Sequence, residues 1–128
     1  RPHCVVGEGS KLGAFVQVKI CKLGAGTKMA HLTYVGDTDV GDNCNFGCGT
    51  VTCNYDGFQK FRSTIGDDVF VGCNTNLVSP VEVGDGAYIA AGTTVTQDVP
   101  ADALAIGRGR QQVKEGWAAR NREKRGRK

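Results

Sequence analysis

Aliphatic residues followed by a small residue recur about every six positions along this chain of 128 residues. Four residues after each aliphatic position comes a small or branched side chain, such as Val69, Thr75 or Ala87. The same frame extends upstream to Val6, with two steps of five residues instead of six. Neither a helical period nor simple strand alternation produces this spacing. The clearest run of pairs is Ile65-Gly66, Val71-Gly72, Leu77-Val78, Val83-Gly84, Ile89-Ala90 and Val95-Thr96.

This repeat predicts an all-β fold, a parallel β-helix in which three six-residue units close one triangular coil. Each unit is a short strand plus a turn, with the aliphatic residue pointing inward and the small residue leaving room at the bend. The frame yields about five coils, stacked so that every strand pairs with its equivalents above and below. The composition agrees, because 19 glycines and an aromatic content of 7% require a core of small and branched side chains.

Two segments depart from the repeat. Residues 53–64 are too long for one unit and contain the turn-like string Asn54-Tyr55-Asp56-Gly57, which predicts an external loop. After Val99 the repeat stops. Residues 103–106 then read as extended, and residues 111–119 predict a short C-terminal helix, with the basic remainder expected to be mobile.

Charge divides the chain into two parts. Residues 1–107 hold 7 Lys/Arg against 11 Asp/Glu, a net charge of −4, whereas residues 108–128 hold 9 against 2, a net charge of +7. We assign the first part to the solenoid, with its inserted loop, and the second to a basic C-terminal extension. Because the chain starts at Arg1 rather than at a methionine, we expect it to be a piece of something longer.

The six cysteines indicate a reducing compartment. No Cys-x-x-Cys pair occurs, which weakens a structural zinc interpretation, and the chain is unlike a small secreted disulfide scaffold. No apolar run is long enough for a membrane span, and no leader of the signal-peptide kind is present. We therefore expect free thiols and a cytoplasmic location, with neither a membrane nor a nucleic acid as partner.

Several polar residues could carry chemistry. His31 lies two positions after an inward anchor and should point outward, although a lone surface histidine is more often inert than catalytic. The string at residues 54–57 has two interpretations, a simple turn or a substrate contact on the inserted loop. Lys19 and Lys60 are either solvated surface charges or, together with Arg1, a phosphate site.

At these residues the sequence resembles a known family. Over residues 1–117 it is similar to the C-terminal acetyltransferase half of the bacterial bifunctional glucosamine-1-phosphate N-acetyltransferase / N-acetylglucosamine-1-phosphate uridylyltransferase family. The strings that carry the resemblance are Ala30-His31-Leu32-Thr33-Tyr34-Val35-Gly36-Asp37, Thr52-Cys53-Asn54-Tyr55-Asp56-Gly57, Ile65-Gly66-Asp67-Asp68-Val69-Phe70-Val71-Gly72, Ala90-Ala91-Gly92-Thr93-Thr94-Val95-Thr96 and Lys114-Glu115-Gly116-Trp117.

The resemblance implies a left-handed solenoid that works as a homotrimer, with sites between neighbouring chains and the loop reaching across. It implies direct acetyl transfer from acetyl-CoA to the amine of glucosamine 1-phosphate, with no metal required, in UDP-GlcNAc and cell-wall precursor synthesis. His31 would be the general base. The residues implied for the sugar phosphate are Arg1, Lys19, Tyr34, Asn45 and Lys60, and those implied for acetyl-CoA are Cys48, Asn54, Tyr55, Cys73, Ala91 and Arg108.

Three departures from the family matter. The family commonly has serine at Cys73 and alanine at Cys48, and although both replacements are near-isosteric, Cys73 is a poorer hydrogen-bond partner than serine. The uridylyltransferase half has no counterpart here, since no Gly-rich nucleotide-binding signature occurs. The first coils of the family's solenoid are also missing, so an exposed first coil could fray and disturb the Arg1 contact.

Other interpretations remain open from the residues alone. The chain could be a hexapeptide acyltransferase with a different amine or hydroxyl acceptor, or a folded but inactive trimeric fragment. A γ-type carbonic anhydrase shares this solenoid but needs three zinc-binding histidines, so the 2 histidines of this chain exclude it unless cysteines substitute. The basic extension could be a solubilising segment, a weak nucleic-acid arm or a cover for the phosphates of CoA.

Overall fold

The computed structural model describes residues 4–19 and 21–126. Within these residues the chain forms sixteen short strands and one helix. The strands are β1 Val5–Val6, β2 Lys11–Leu12, β3 Gln17–Lys19, β4 Lys22–Leu23, β5 Lys28–Met29, β6 Tyr34–Gly36, β7 Thr38–Val40, β8 Asn45–Phe46, β9 Val51–Cys53, β10 Ser63–Ile65, β11 Phe70–Val71, β12 Asn76–Val78, β13 Glu82–Val83, β14 Tyr88–Ile89, β15 Thr94–Val95 and β16 Leu104–Ala105, and the helix is α1 Trp117–Gly126.

The strands form three parallel sheets. Sheet 1 has the order β1-β4-β7-β10-β13, sheet 2 the order β2-β5-β8-β11-β14-β16, and sheet 3 the order β3-β6-β9-β12-β15. Every third strand therefore returns to the same sheet, which is the arrangement of a solenoid with a triangular coil. The described residues make five complete coils, and a sixth begins with a bridge between Val83 and Val99 and continues in β16. The predicted parallel β-helix is confirmed.

The aliphatic anchors build the core, as the repeat predicts. Those of the later coils, from Ile65 to Val95, are at most 4% exposed, and Phe46 is the one aromatic ring among the fully buried side chains of the described residues. The anchors of the first coil differ, because Val6 and Leu12 are 44% and 41% exposed. Among the described residues this coil has a neighbour on one side only, so its interior face stays open.

Two of the three corners are built on left-handed backbone. Between sheets 2 and 3, which we call corner 2, the residues with positive φ are Phe15, Leu32, Gly49, Asn74 and Gly92. Glycine and asparagine suit this conformation, whereas phenylalanine and leucine are strained in it. The corner between sheets 1 and 2 repeats the conformation, and there the carboxylates of Asp42, Asp67 and Asp85 each accept the backbone N–H of a residue one coil earlier.

The corner between sheets 3 and 1, which we call corner 3, carries the inserted loop. On the first and second coils the chain crosses this corner in only a few residues, which explains the two five-residue steps in the repeat. On the third coil the loop leaves between β9 and β10 and covers residues 54–62, because Cys53, Ser63 and Thr64 join the strands. Tyr55 and Lys60 form an antiparallel bridge inside the loop.

The C-terminal helix begins later than predicted. Residues 103–106 are extended around β16 as expected, but the helix is Trp117–Gly126 rather than 111–119. Gly116 has a φ of 73° and ends any helix before it, whereas Ala118, Ala119 and the arginines and lysines that follow favour helix. The basic stretch after residue 119 is therefore helical as far as Gly126, and its mobility stays a prediction. No side chain of α1 is buried.

Across residues 4–19 and 21–126, no helix combines the length and the hydropathy that a bilayer crossing demands.

Candidate active site

His31 lies in a column of residues along corner 2. It follows the anchor Met29 by two positions, and Cys48, Cys73 and Ala91 follow their own anchors by the same interval. The strand registers place the four on successive coils, and Asn74 N–H donates to Cys48 O while Gly92 N–H donates to Cys73 O, each at 2.8 Å. With about 4.8 Å between neighbouring strands, His31 and Ala91 lie about 14 Å apart along the solenoid axis.

Glycines make this column possible. A Cβ at Gly47 would lie 2.6 Å from the Cys73 nitrogen, and one at Gly72 would lie 2.5 Å from the Ala91 nitrogen. Both distances are too short for real atoms, so the small residue of each repeat unit lets the next coil approach. The column is consequently a row of closely packed backbone, with exposed side chains at His31, Cys73 and Ala91 and a half-buried one at Cys48.

Arg108 continues the column at its C-terminal end. Its guanidinium donates a hydrogen bond of 2.6 Å to the carbonyl of Ala91, and its side chain is exposed. Four residues that the resemblance implies for acetyl-CoA, spaced widely in sequence, are thus brought into one line with His31. That this line binds acetyl-CoA remains a prediction at this point.

A second polar cluster lies where sheet 3 meets corner 3. The buried side-chain amide of Asn54 donates to Asp37 Oδ2 at 2.7 Å and to the Tyr34 hydroxyl at 3.3 Å. A Cβ at Gly36 would overlap both the Tyr34 hydroxyl and the Asn54 amide, so this glycine makes room for the cluster. Two donor positions of the amide are occupied, which leaves its carbonyl oxygen as the group available to a ligand.

Sequence reasoning missed Asp37 as part of this cluster. It is 9% exposed, has a φ of 50°, donates its N–H to Lys19 O and accepts from Ser63 N–H at its own carbonyl, each at 2.9 Å. The five-residue step in the repeat marked this corner as irregular, but it did not show which side chain would be buried. Nothing in the repeat itself distinguishes Asp37 from a solvent-facing residue.

The inserted loop holds its shape through local contacts. Asp56 accepts the backbone N–H groups of Gln59 and Phe58 at 2.9 and 2.8 Å, and these bonds lower the pKa of the Asp56 carboxyl. Tyr55 is 60% exposed and Phe58 is 93% exposed. Two exposed rings on one ordered loop form an apolar surface of the kind that contacts partners or ligands.

An ion pair fixes the far end of the loop. Arg62 pairs with Asp39 on the neighbouring coil at 2.6 Å, and its hydrogen bond lowers the pKa of the Asp39 carboxyl. Both side chains are nearly half exposed, so we assign the pair a local anchoring role rather than a large stabilising one.

The described residues implied for the sugar phosphate are divided between two sheets and the inserted loop. Lys19 and Tyr34 lie on sheet 3, in register with Gly36 and Gln17, whereas Asn45 lies on sheet 2 between Lys28 and Phe70. Two faces of a triangular coil point in diverging directions, so side chains on them do not converge. Lys60 is exposed on the loop, and Arg1 lies outside the described residues.

In the part of the chain that the structure describes, no group of three or more His, Cys, Asp or Glu side chains could hold a metal ion.

Fold, repeat and corner column together define the class of protein, a hexapeptide-repeat β-solenoid. Residues 62–97 match the bacterial transferase hexapeptide (six repeats) family. Solved structures agree on the fold: a hexapeptide-repeat acetyltransferase from Vibrio cholerae has a TM-score of 0.74 at 21% identity, covering 87% of this chain and 74% of that one. The acetyltransferase domain of PglB from Neisseria gonorrhoeae, solved with acetyl coenzyme A, has a TM-score of 0.76 at 19% identity, covering 88% and 53%.

The sequence relatives indicate one particular kind of protein within this class, the bifunctional protein GlmU. The bifunctional protein GlmU of Caldicellulosiruptor saccharolyticus is 54% identical over 96% of this chain, and that of Clostridium perfringens (strain SM101) is 56% identical over 97%. GlmU of Koribacter versatilis is 57% identical over 95%. The chain corresponds to the C-terminal domain of these proteins and spans 26–27% of their length. The resemblance found in the sequence is confirmed.

Proposed function

We propose that this chain transfers the acetyl group of acetyl-CoA to the amine of glucosamine 1-phosphate, giving N-acetylglucosamine 1-phosphate for UDP-GlcNAc and cell-wall precursor synthesis. The observation that carries the proposal is the column at corner 2, in which His31 is aligned with Cys48, Cys73, Ala91 and Arg108. The identity of 54–57% to GlmU proteins over nearly the whole chain supports it. Acetyl-CoA is the co-substrate, and the reaction belongs to the cytoplasm.

His31 acts as the general base. Its exposed imidazole stands at the start of the column, where an acceptor amine can approach the thioester carbonyl. As the carbon–nitrogen bond forms, the imidazole accepts a proton from the nitrogen. The tetrahedral intermediate then collapses with release of the CoA thiol, so transfer is direct and no acyl-enzyme forms.

The donor lies along the column. Backbone groups at corner 2 offer hydrogen bonds to the pantetheine arm. Cys48 and Cys73 lie beside this arm in the corner 2 column. Asn54 and Tyr55 approach the acetyl end from the loop. At the other end Arg108 gives positive charge of the kind that the phosphates of CoA require.

The acceptor site needs more than one chain. Tyr34 and Lys19 face outward from sheet 3 and Asn45 from sheet 2, so these side chains meet only where two solenoids pack against each other. This geometry supports the homotrimer that the resemblance implies. Lys19, Lys60 and Arg1 supply the charge for the phosphate, and Tyr34 and Asn45 orient the sugar.

The test is release of CoA thiol from acetyl-CoA in the presence of glucosamine 1-phosphate, beside glucosamine, serine and an acceptor-free blank. We expect release with the sugar phosphate alone. Equal or faster release with glucosamine would show that the chain does not recognise the phosphate of the acceptor. Release with serine alone would show a hexapeptide acyltransferase of different specificity, and a folded trimer inactive with every acceptor would contradict the proposal.

A further inference from the structure

The stacked cysteines of the column form a site whose chemistry differs from that of acetyl transfer. Cys48 and Cys73 are 25 positions apart in sequence, but they occupy equivalent places on the third and fourth coils. Gly47 N–H donates to Val71 O and Asn74 N–H donates to Cys48 O, each at 2.8 Å, and these two bonds bracket the pair in a parallel register. In-register residues on neighbouring strands have Cα atoms about 4.8 Å apart.

That separation suits a disulfide, which requires Cα atoms about 4.4–6.8 Å apart. The position of the Cys73 sulfur is also compatible with a disulfide. The sulfur of Cys73 lies 2.9 Å from the point where a Cβ on Gly47 would stand, so it is close to the third coil at the residue before Cys48. The thiol of Cys73 is exposed and that of Cys48 is half-buried, so a small oxidant can reach the pair.

Cys4 and Cys21 form a second in-register pair, because Val5 pairs with Lys22, but Cys21 is buried and so is harder for an oxidant to reach. The remaining thiols of the described residues are also less suited to this chemistry. Cys21 and Cys44 are buried and each donates a hydrogen bond of 2.9 Å to a backbone carbonyl, of Val35 and Gly66 respectively. Burial raises the pKa of both thiols, which makes the reactive thiolate scarce. Cys53 is exposed, but its register partner is Val78.

We infer that Cys48 and Cys73 are a thiol modification site that low-molecular-weight disulfides convert into an intrachain disulfide across the third and fourth coils. The thiolate of Cys73 attacks the small disulfide, forming a mixed disulfide and releasing one small thiol. The thiolate of Cys48 then attacks Cys73 Sγ and releases the second. Two protein S–H bonds are lost and one S–S bond forms, while the two electrons and two protons pass to the small disulfide.

The bond would alter the column itself. It removes two S–H donors and places a rigid bridge across the surface between His31 and Ala91. If the column holds acetyl-CoA, oxidation weakens donor binding, and this consequence rests on the proposed function.

The test treats the reduced, purified full chain with oxidised glutathione and maps its disulfides by peptide mass spectrometry. We expect a Cys48–Cys73 link that dithiothreitol reverses. Cys73→Ser and Cys48→Ala should each abolish it, whereas Cys53→Ser, the matched exposed thiol, should leave it intact. The inference is overturned if both thiols stay open to alkylation, carry only glutathione adducts, or pair with other cysteines.

Calorimetry with acetyl-CoA separates this inference from the proposed function. We expect the oxidised chain to bind roughly tenfold more weakly than the reduced chain, with Cys73→Ser insensitive to the oxidant. A disulfide that forms without changing strong acetyl-CoA binding overturns the regulatory consequence. A disulfide in a chain that binds no acetyl-CoA even when reduced upholds the thiol site and contradicts the proposed function instead.

Discussion

The buried carboxylate of Asp37 holds the amide of Asn54 in one orientation, at 2.7 Å, with the Tyr34 hydroxyl as the second acceptor. This is the clearest case in which a residue supports the site without reaching the column. Sequence reasoning found Tyr34 and Asn54 through the resemblance, whereas Asp37 became visible only when the shortened corner turned it inward. Burial of an acidic side chain cannot be read from a hexapeptide frame, because the frame specifies the apolar positions alone.

Replacing Asp37 by alanine should therefore affect both stability and donor binding. It leaves a buried amide N–H of Asn54 without its closer acceptor, and we expect a loss of about 1–3 kcal/mol in the free energy of unfolding. The KM for acetyl-CoA should rise more than kcat falls, because the amide is misoriented rather than removed. Urea unfolding and steady-state kinetics measure the two effects. Asp37→Asn, which keeps an oxygen acceptor, is the control, and wild-type values for Asp37→Ala would rule out the positioning role.

Leu32, the neighbour of His31, is strained. Its φ is 60° and its side chain is 60% exposed, whereas the equivalent position two coils later is Asn74 with a φ of 57°. Because left-handed backbone costs a bulky residue about 1–2 kcal/mol, Leu32→Asn should raise the free energy of unfolding by about 1 kcal/mol. Asn74→Leu should lower it by a similar amount. Urea titration of both variants checks this, and two shifts of the same sign would contradict the backbone explanation.

At the scale of elements, the strands were predictable and the helix was not. Most strands have a buried apolar anchor, as at Leu77 and Ile89, and the spacing of these anchors located the strands. In β9 the buried Thr52 takes the place of the apolar anchor at the same spacing. The helix α1 buries no side chain, so no apolar periodicity marks it. Its start depends on the backbone of Gly116, and its length on helix propensity in a basic stretch.

The stacking of the third and fourth coils depends on Gly47. An alanine there would place its Cβ 2.6 Å from Cys73 N and 2.9 Å from Cys73 Cα, and backbone atoms cannot yield as a flexible side chain does. We expect Gly47→Ala to lower the free energy of unfolding by about 1–3 kcal/mol, as overpacking usually does. Gly109→Ala is the control, because nothing lies within 4 Å of the added carbon. Equal unfolding midpoints for the two variants in urea would show that the coils separate easily.

For the whole molecule, sequence reasoning predicted a parallel solenoid, and in the structure the residues of the proposed acceptor site lie on two of its faces. Outward side chains on sheets 2 and 3 diverge, so the proposed use of Asn45 and Tyr34 on one acceptor requires an interface between chains. Surface residues that form such an interface follow the same repeat as ordinary surface. The proposed assembly therefore rests on the resemblance, because spacing and composition carry no signal for it.

A shared site predicts complementation. Asn45→Ala and Tyr34→Ala chains should each be weakly active alone. Co-expressed with different affinity tags and purified as mixed assemblies, they should regain activity, because some interfaces then pair an intact Asn45 with an intact Tyr34. Mixed assemblies no more active than the average of the two parents would place both residues in a site belonging to a single chain.

The most direct test of the account replaces His31 by alanine and follows acetyl transfer to glucosamine 1-phosphate together with acetyl-CoA affinity. A general base acts in the chemical step, so we expect kcat to fall by roughly 100-fold or more while the Kd for acetyl-CoA stays near that of the unchanged chain. Turnover at the full rate would remove His31 from the mechanism and contradict the assignment of the corner 2 column as the catalytic centre.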